Sequence, residues 1–540
     1  MTDIEIPLVK DRKGHYRFFE IMPGLLSYTA LLLPLILTAI NVTAAAIFVI
    51  LYLLIYITRA MASAIRVLEG YRNLRNHQKL DWQQLVAELQ SGEVVDAKAK
   101  RPKWHYENLL RLTRAAKVID PDNVIHAVMI ALYKESREVI EPTIQSVINS
   151  NYDMKKVVLI IAYEERAGEA TRQLAHDLTQ EYKKHFYHMQ AVGHPADIPN
   201  ELIGKGGNIT YAGRWLVKWS EDKKIDPLRI VVTTLDADNR PDKNYLAALT
   251  YIYCSCPDPV RASFQPTAMY TNNIWDAPAP SRVLATGNSF FHIMNSLRYH
   301  SLRNFSAHAQ GLSSLIKTDF WSVRTIVEDG HQFWRSYFRF DGKYRVYPVF
   351  VPIYQDAVLN ESYTKTLKAQ FIQLRRWTYG ASDIAYVIDQ GFFKKNKVPK
   401  LDLIAKTSRL IEGHISWAVA PILSLCAGFV PALLHPQSFA ANELPLIASR
   451  VQTIALVGAL TAVFISLKTL PPRPTRYKRH RTLFMLMQWA YLPVTTLVYN
   501  SFAALNSQTR LVFGCYLDKF DVTEKAVVST SSSGQKVVKK

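Results

Sequence analysis

"VVTTLDADNRPDKNYL", residues 231–246, ends a hydrophobic run with two carboxylates one residue apart. The apolar stretch 230–235 reads as a buried strand, and Asp236-Ala237-Asp238 stops it. Two like charges 4 Å apart repel by about 1 kcal/mol even in water, and by more where water is excluded. The spacing therefore asks for something positive between the two acids.

Working outward, the same pattern recurs. Residues 124–132 and 157–163 are further strand candidates, and 138–149 forms a helix with apolar spacing at Val139, Ile140, Ile144 and Val147. The strands are apolar throughout rather than alternating, as expected of parallel strands covered on both faces. An open α/β sheet binds its ligand beyond the carboxyl ends of its strands. Asp236 and Asp238 sit at one such end, and Glu164 and Glu165 follow the second strand. Four carboxylates are thus expected on one rim. Clustered Asp oxygens beside a diphosphate suit Mg²⁺ or Mn²⁺, which take few protein ligands and share the rest with phosphate and water. For an isolated D-x-D, a solvated Asx turn at the strand end is the commoner explanation.

The rest of the chain is unevenly apolar. Residues 21–40 and 44–57 are uncharged runs separated by Asn41-Val42-Thr43, and two more lie at 415–434 and 451–467. A bilayer core takes roughly 20 residues; the second run is shorter, and Arg59-Ala60-Met61-Ala62 lets it extend. Two back-to-back runs without a small-residue cleavage site read as a hairpin rather than a signal peptide. Basic residues flank them: Lys10, Arg12, Lys13 and Arg17 before the first, Arg59, Arg66, Arg72 and Arg75 after the second, and Arg473, Arg476, Lys478, Arg479 and Arg481 after the fourth. By the positive-inside rule, the soluble part and both termini are expected in the cytoplasm, with the chain multi-pass in a plasma (bacterial inner) membrane. Much of the formal charge of +20 is assigned to anchoring against acidic lipid, which takes away most of the support for a nucleic-acid partner. The four cysteines (254, 256, 426 and 515) make no ligand set or disulfide scaffold and read as reduced packing residues.

The expected organisation is a segment and membrane hairpin over 1–62, linker helices over 63–120, an α/β domain over 121–400 and membrane helices over 401–470. An interfacial segment over 471–526 and a disordered tail over 527–540 complete it. Hydropathy alone favours a fifth span in 482–507. Pro493 and the polar and aromatic residues Gln488, Trp489, Tyr491, Tyr499 and Asn500 favour a helix lying on the membrane surface.

Further motifs occur in one order: "GKGGNITYA" (204–212), "VEDGHQFWRSYF" (327–338), "QLRRW" (373–377) and "FDVTEK" (520–525). With the D-x-D they resemble the membrane-integrated family 2 glycosyltransferases, the group of cellulose, chitin and hyaluronan synthases, over about residues 120 to 526. The resemblance implies a GT-A (Rossmann-like) fold, a nucleotide-diphosphate sugar donor with a UDP-sugar favoured, a divalent cation and inversion at the anomeric carbon. Position by position, Asp236 and Asp238 match the D-x-D that holds the donor diphosphate through the metal. Asp329 matches the aspartate of the T-E-D motif, the general base. Gln373, Arg376 and Trp377 match Q-x-x-R-W, on the acceptor and diphosphate side. Phe520, Val522, Thr523 and Lys525 match F-x-V-T-x-K, a gating segment, and Lys205 and Asn208 resemble the Gly-Lys-Gly-Gly-Asn stretch beside the nucleotide.

The residue types suit the chemistry. A sugar hydroxyl needs a carboxylate within hydrogen-bond reach to take its proton, and the departing diphosphate builds charge that a metal, Arg or Lys absorbs. Trp377 offers a flat face for a sugar and Arg376 a planar fork for phosphate. Each has an ordinary reading too. Trp377 and Arg376 fall on a helix over 364–379 where Leu367, Phe371 and Leu374 look like packing, and Asp329 stands where an acid stabilises a helix start. Two positions depart from the family. Glu164-Glu165 replace its usual aspartate pair, and Val327 replaces the threonine of T-E-D.

The sequence thus reads as an inverting hexosyltransferase-type glycosyltransferase building a polysaccharide, coupled to export, with a lipid bilayer around it and an oligomer or export partner completing any channel. A single-addition transferase onto a lipid-linked acceptor and a non-catalytic membrane scaffold are the alternatives.

Overall fold

The computed structural model describes residues 4–94, 100–114, 119–517, 527–530 and 536–539. Its centre is an eight-stranded mixed sheet: β1 (Ile125–Leu132), β2 (Val157–Glu164), β3 (His188–His194), β4 (Ile230–Asp236), β5 (Arg240–Pro241), β6 (Ala262–Met269), β7 (His308–Gly311) and β8 (Arg345–Tyr354). The order is β3-β2-β1-β4-β7-β6-β8-β5. β1 to β4 run parallel, with Ala131 of β1 level with Asp236 of β4, and β7 joins antiparallel. β6 and β8 run parallel to each other, with β5 antiparallel on the edge.

The parallel half forms where the apolar runs predict it. Every residue of β2, "VVLIIAYE", is buried, and each such Val, Ile or Leu contributes about 1.5–3 kcal/mol on burial. From β1 the chain winds outward to β2 and β3, then returns to place β4 on the other flank of β1. That reversal is the topological switch point, where an open α/β sheet leaves a crevice beyond its strand ends.

α1 (His15–Ile40) and α2 (Val42–Gln78) form the expected hairpin, and Asn41 caps α2 by accepting from Thr43 and Ala44 N–H at 2.9 and 3.0 Å. α2 runs unbroken past residue 62, where a change to linker helices was expected. With no Pro or Gly before Gly70 nothing stops it, and its 37 residues reach about 55 Å. Its far end is pinned to the sheet, where Gln78 Nε2 donates to Tyr354 Oη at 2.9 Å and to Asp242 at 3.2 Å. The small helices α3 (Trp82–Ser91) and α4 (Lys103–Leu112) follow.

Around the sheet lie α5 (Arg137–Ile148), α6 (Glu169–Tyr182), α7 (Lys205–Asp222), α8 (Tyr245–Ser255), α9 (Ala279–Ser296), α10 (Leu312–Lys317) and α11 (Glu328–Arg339). Beyond the sheet come α12 (Tyr363–Thr378), α13 (Asp383–Ile388), α14 (Lys400–Cys426), α15 (Val430–Leu434) and α16 (Phe439–Thr469). By length and composition α1, α2 and the 400–434 stretch are able to cross a membrane. The 31-residue α16 packs beside α2.

Residues 481–513 form a broken helical run rather than one helix: α17 (Arg481–Met487), α18 (Leu492–Thr495) and α19 (Phe502–Phe513), joined by 3₁₀ and π turns around Pro493. α19 returns the chain to the α/β domain, where Leu517 packs with Ile326 and Val327 and its N–H donates to Tyr379 Oη at 3.3 Å. In the tail, Val527–Thr530 pairs antiparallel with Lys536–Lys539, within a stretch whose composition reads as disordered. All four cysteines are free. Cys254 and Cys256 are buried as expected of packing residues, whereas Cys426 and Cys515 are exposed.

Candidate active site

The site forms beyond β4. Asp236 ends that strand with a 35 % exposed side chain, and Lys205, in the first turn of α7, reaches across to place Nζ 2.7 Å from Asp236 Oδ1. Lys205 also donates to Ser306 O at 3.1 Å, and the Ser306 hydroxyl donates to the other Asp236 oxygen. Burial works against the Lys205 charge, but Asp236, Glu328 and Asp329 outweigh it and raise its pKa. The cation that the opening spacing calls for is thus in part this lysine. Asp238 is buried, its Oδ2 accepting from Asp356 N–H at 3.1 Å.

α7 comes this close because it starts on glycines. A Cβ on Gly206 would stand 2.3 Å from Ser322 O, and one on Gly207 would stand 2.9 Å from Glu201 Oε2. Gly204 offers no side-chain cap, so the helix start keeps its unpaired N–H groups. The Gly-Gly pair, unremarkable as sequence, is what seats Lys205.

α11 brings the acids from the opposite side. Glu328 and Asp329 occupy its first turn, and Gly330 N–H donates to Asp329 Oδ1 at 2.7 Å. A helix start favours carboxylates, but burial dominates and raises both. Asp329 adds to the rise at Glu328 and Asp236 to that at Asp329, while Lys205 pulls both down and Arg376 pulls Asp329 down. Two acids thus stand beside one lysine with titrations moved toward neutrality. Arg376 lies on α12, as expected, and so does Trp377, whose ring centroid is 6.0 Å from that of Tyr270. Trp377 also touches two apolar clusters, so its packing role is real. Gln373, half-buried on α12, accepts from Gln370 Nε2 at 3.2 Å. α12 is held by α19: the Ser507 hydroxyl donates to Arg375 O at 2.6 Å.

The second strand's acids divide. Glu165 is exposed at the start of a turn. Glu164 is buried and committed: Arg166 Nε stands 2.8 Å away, and His194 Nδ1 lies 3.2 Å from its carboxylate. The far nitrogen of His194 is 2.9 Å from Glu201 Oε2. Burial works to lower the His194 pKa, but the two carboxylates prevail and lift it to about 9. Asn208 does not face the rim either. Its Nδ2 donates to Ala162 O at 2.7 Å and straps α7 to β2. Phe520, Val522, Thr523 and Lys525 lie outside the described residues.

Sequence reasoning missed Ser306, Tyr270, His194 and Glu201. None lies in a recognisable motif, and only the register of β3 against β2, which pairs His194 with Glu164, puts the histidine in place. Among the described residues no group of three His, Cys, Asp or Glu side chains is arranged to hold a metal unaided.

No family model and no curated protein matches this chain. Solved structures align with it at low similarity. A mannosyltransferase, PcManGT from Pyrobaculum calidifontis in complex with GDP-Man and Mn²⁺, is 15% identical, with 78% of this chain and 97% of that one covered and a TM-score of 0.37. S. aureus TarS 1-349 in complex with UDP-GlcNAc is 10% identical over 77% of this chain and 97% of that one, with a TM-score of 0.36. GalNAc-T7 with UDP, GalNAc and Mn²⁺ is 14% identical over 53% and 54%, with a TM-score of 0.30. At these scores the likeness decides nothing about this chain's chemistry.

Proposed function

We propose that the chain is a GT-A-type glycosyltransferase that moves a sugar from a nucleoside-diphosphate donor to an acceptor hydroxyl at a membrane surface. One observation carries the reading: residues 205, 236, 328, 329 and 376, dispersed over 172 positions of sequence, interact in one electrostatic cluster beyond the switch point. A packing role for each residue separately does not explain why an ordered set of motifs collapses onto one crevice.

In this reading the donor diphosphate lies over the end of β4. Asp236 and Asp238 would hold a divalent cation, which suits two carboxylates with phosphate and water completing its shell. The partial exposure of Asp236 leaves it open to such a cation. The ion would supply charge neutralisation for the leaving group. Lys205 and Arg376 add positive charge at the same place. The acceptor oxygen attacks the anomeric carbon, the bond from that carbon to the diphosphate oxygen breaks, and Asp329 takes the hydroxyl proton. A carboxyl whose pKa is raised toward the working pH is better matched to that transfer. Trp377 and Tyr270 form an aromatic wall for the acceptor sugar, with Gln373 one turn away on α12. Glu164 supports the loop that carries Lys205 rather than contacting the base itself.

α1, α2, α14 and α16 are read as the membrane part. The packing of Leu517 on Val327 supports leaving residues 520–525 on the side of the α/β domain, with 481–513 as a surface element. Q-x-x-R-W and F-x-V-T-x-K favour repeated addition into a polysaccharide over single addition to a lipid-linked acceptor. The test is to incubate the purified full chain with a panel of nucleotide sugars and Mg²⁺ or Mn²⁺, measuring nucleotide release and product length. Release with long products supports the polysaccharide reading, release with one added sugar favours single addition, and no release from any donor overturns both.

A further inference from the structure

Beyond the catalytic crevice, a group of arginines lies where two of the apolar helices leave their apolar runs. Arg59 and Arg66 are seven residues apart on α2, two turns on one face. That face meets two partners. Arg59 pairs with Glu412 of α14, and Gly70, four residues beyond Arg66, abuts α9 so closely that a Cβ there would stand 2.6 Å from Ile293 O. Arg66 lies between these contacts. Arg298 follows the end of α9, its N–H bonded back to Asn295 O at 2.8 Å, and Arg409 lies one turn before Glu412 on α14. Three elements therefore bring Arg66, Arg298 and Arg409 into one neighbourhood, where α2 meets α14 and α9.

The nearby anions balance them only in part. Glu412 is taken by Arg59 and by Ser416, whose hydroxyl donates to it at 2.7 Å. Asp402 is taken by Lys406 and by Tyr337, which donates to it at 2.6 Å. Glu69 stands near Tyr299. Among the described residues, Arg66, Arg298 and Arg409 make no ion pair. Their mutual proximity registers in the loop after α9: burial, then Arg66 and Arg409, lowers the Arg298 pKa against the opposing pull of Glu412, and burial, then Arg409, Arg298, Lys406 and Arg66, lowers that of His300. Like charges gathered this closely oppose folding unless an anion joins them.

The neighbours say which anion. Ile65 (62%), Tyr299 (61%) and Ile404 (49%) are exposed beside the arginines, a surface that an aqueous phosphate would leave wet and a bilayer would cover. Arg66 lies nine residues past the apolar run 44–57, and Arg409 six before the run at 415–434. At about 1.5 Å per residue both fall within side-chain reach of headgroup depth. Guanidinium groups suit phosphate through paired N–H donors.

We propose that Arg66, Arg298 and Arg409 form a binding site for the phosphate headgroup of an anionic membrane lipid. The site stands apart from sugar transfer and rests only on the membrane reading of α1, α2 and α14.

The test uses the full chain, purified in a neutral detergent and exposed to equal phosphatidylglycerol and phosphatidylcholine. Lipid retained per protein is read by native mass spectrometry. Arg66→Gln with Arg409→Gln is compared with Lys184→Gln plus Lys223→Gln, an equal charge loss at exposed positions elsewhere. Retention of phosphatidylglycerol over phosphatidylcholine by the wild type and the lysine variant, about 30-fold weaker in the arginine variant at roughly 1 kcal/mol per arginine, supports the site. Equal retention of both lipids, or an arginine variant like the wild type, overturns it. Displacement of the lipid by millimolar inorganic phosphate also overturns it, in favour of a soluble phosphate ligand. Arg298→Gln alone supplies a second reading, with the same preference reduced. A chain recovered wholly in the soluble fraction would instead refute the membrane reading, which separates the two failures.

Discussion

Lys205 Nζ lies 2.7 Å from Asp236 Oδ1, joining the first turn of α7 to the end of β4 across the switch point of the sheet. The pair acts on the two acids of α11. Lys205 is the cation that Glu328 and Asp329 share, and it pulls both carboxyls down against the burial that raises them.

Replacing Lys205 with methionine keeps the length of the chain and removes that pull. Both carboxyls then titrate higher, and a base that must be ionised is lost at a higher pH. The acid limb of the pH–rate profile should move upward, and transfer at neutral pH should fall by roughly 10² to 10³ through lost charge stabilisation. An acid limb that stays in place would detach Lys205 from the acid pair.

His194 makes a pH prediction of opposite sense. Its pKa is raised from 6.5 to about 9, so its clamp on Glu164 and Glu201 contributes fully below 6.5 and is lost as pH rises through about 9. Thermal unfolding of the wild type should lose stability on the order of 2 kcal/mol over that window. His194→Gln, less stable to begin with, should show a flat profile there. Parallel profiles for the two proteins would assign the clamp no charge.

The seat of α7 is tested by Gly206→Ala. The new Cβ meets backbone at Ser322 O, which cannot swing away as a side chain can, so a loss of about 1–3 kcal/mol is expected. Transfer should fall further than stability, because the shift displaces Lys205. Gly287→Ala on α9, where nothing lies within 4 Å of the added methyl, should leave both unchanged or gain slightly. Equal behaviour of the two alanines would argue against a tight seat.

Topology is tested with the exposed native Cys515. In a Cys426→Ser background, a membrane-impermeant thiol reagent should leave intact cells unlabelled and react once they are permeabilised. Labelling of intact cells would put residue 515 outside and remove 520–525 from the catalytic side.

The parallel half of the sheet is legible from sequence because its strands are continuously apolar. β1, β2 and β4 fall within a residue of the expected 124–132, 157–163 and 230–235. The mixed half is not, because β5 has two residues, β7 has four, and β6 and β8 carry prolines and polar residues that break the pattern. Of the candidate site, Asp236, Asp329 and Arg376 are legible as motifs and do converge. The partnership of Lys205 with Asp236 depends on where helix and strand meet, which no local spacing encodes. Glu164 misleads for the same reason. As sequence it is an acid at a strand end, and only the pairing of β2 with β3 delivers His194 to occupy it.

The proposed division of labour, with Asp329 acting on an acceptor and Asp236 and Asp238 holding the donor, is tested by one paired measurement. Donor affinity by calorimetry and glycosyl transfer by product formation are measured on Asp329→Asn and Asp238→Asn, with the donor the wild type consumes. Asp329→Asn should lose transfer by about 10² to 10⁴ with donor affinity nearly unchanged, and Asp238→Asn should lose donor affinity together with transfer. Full transfer by Asp329→Asn, or by Asp238→Asn in excess EDTA, would contradict the account.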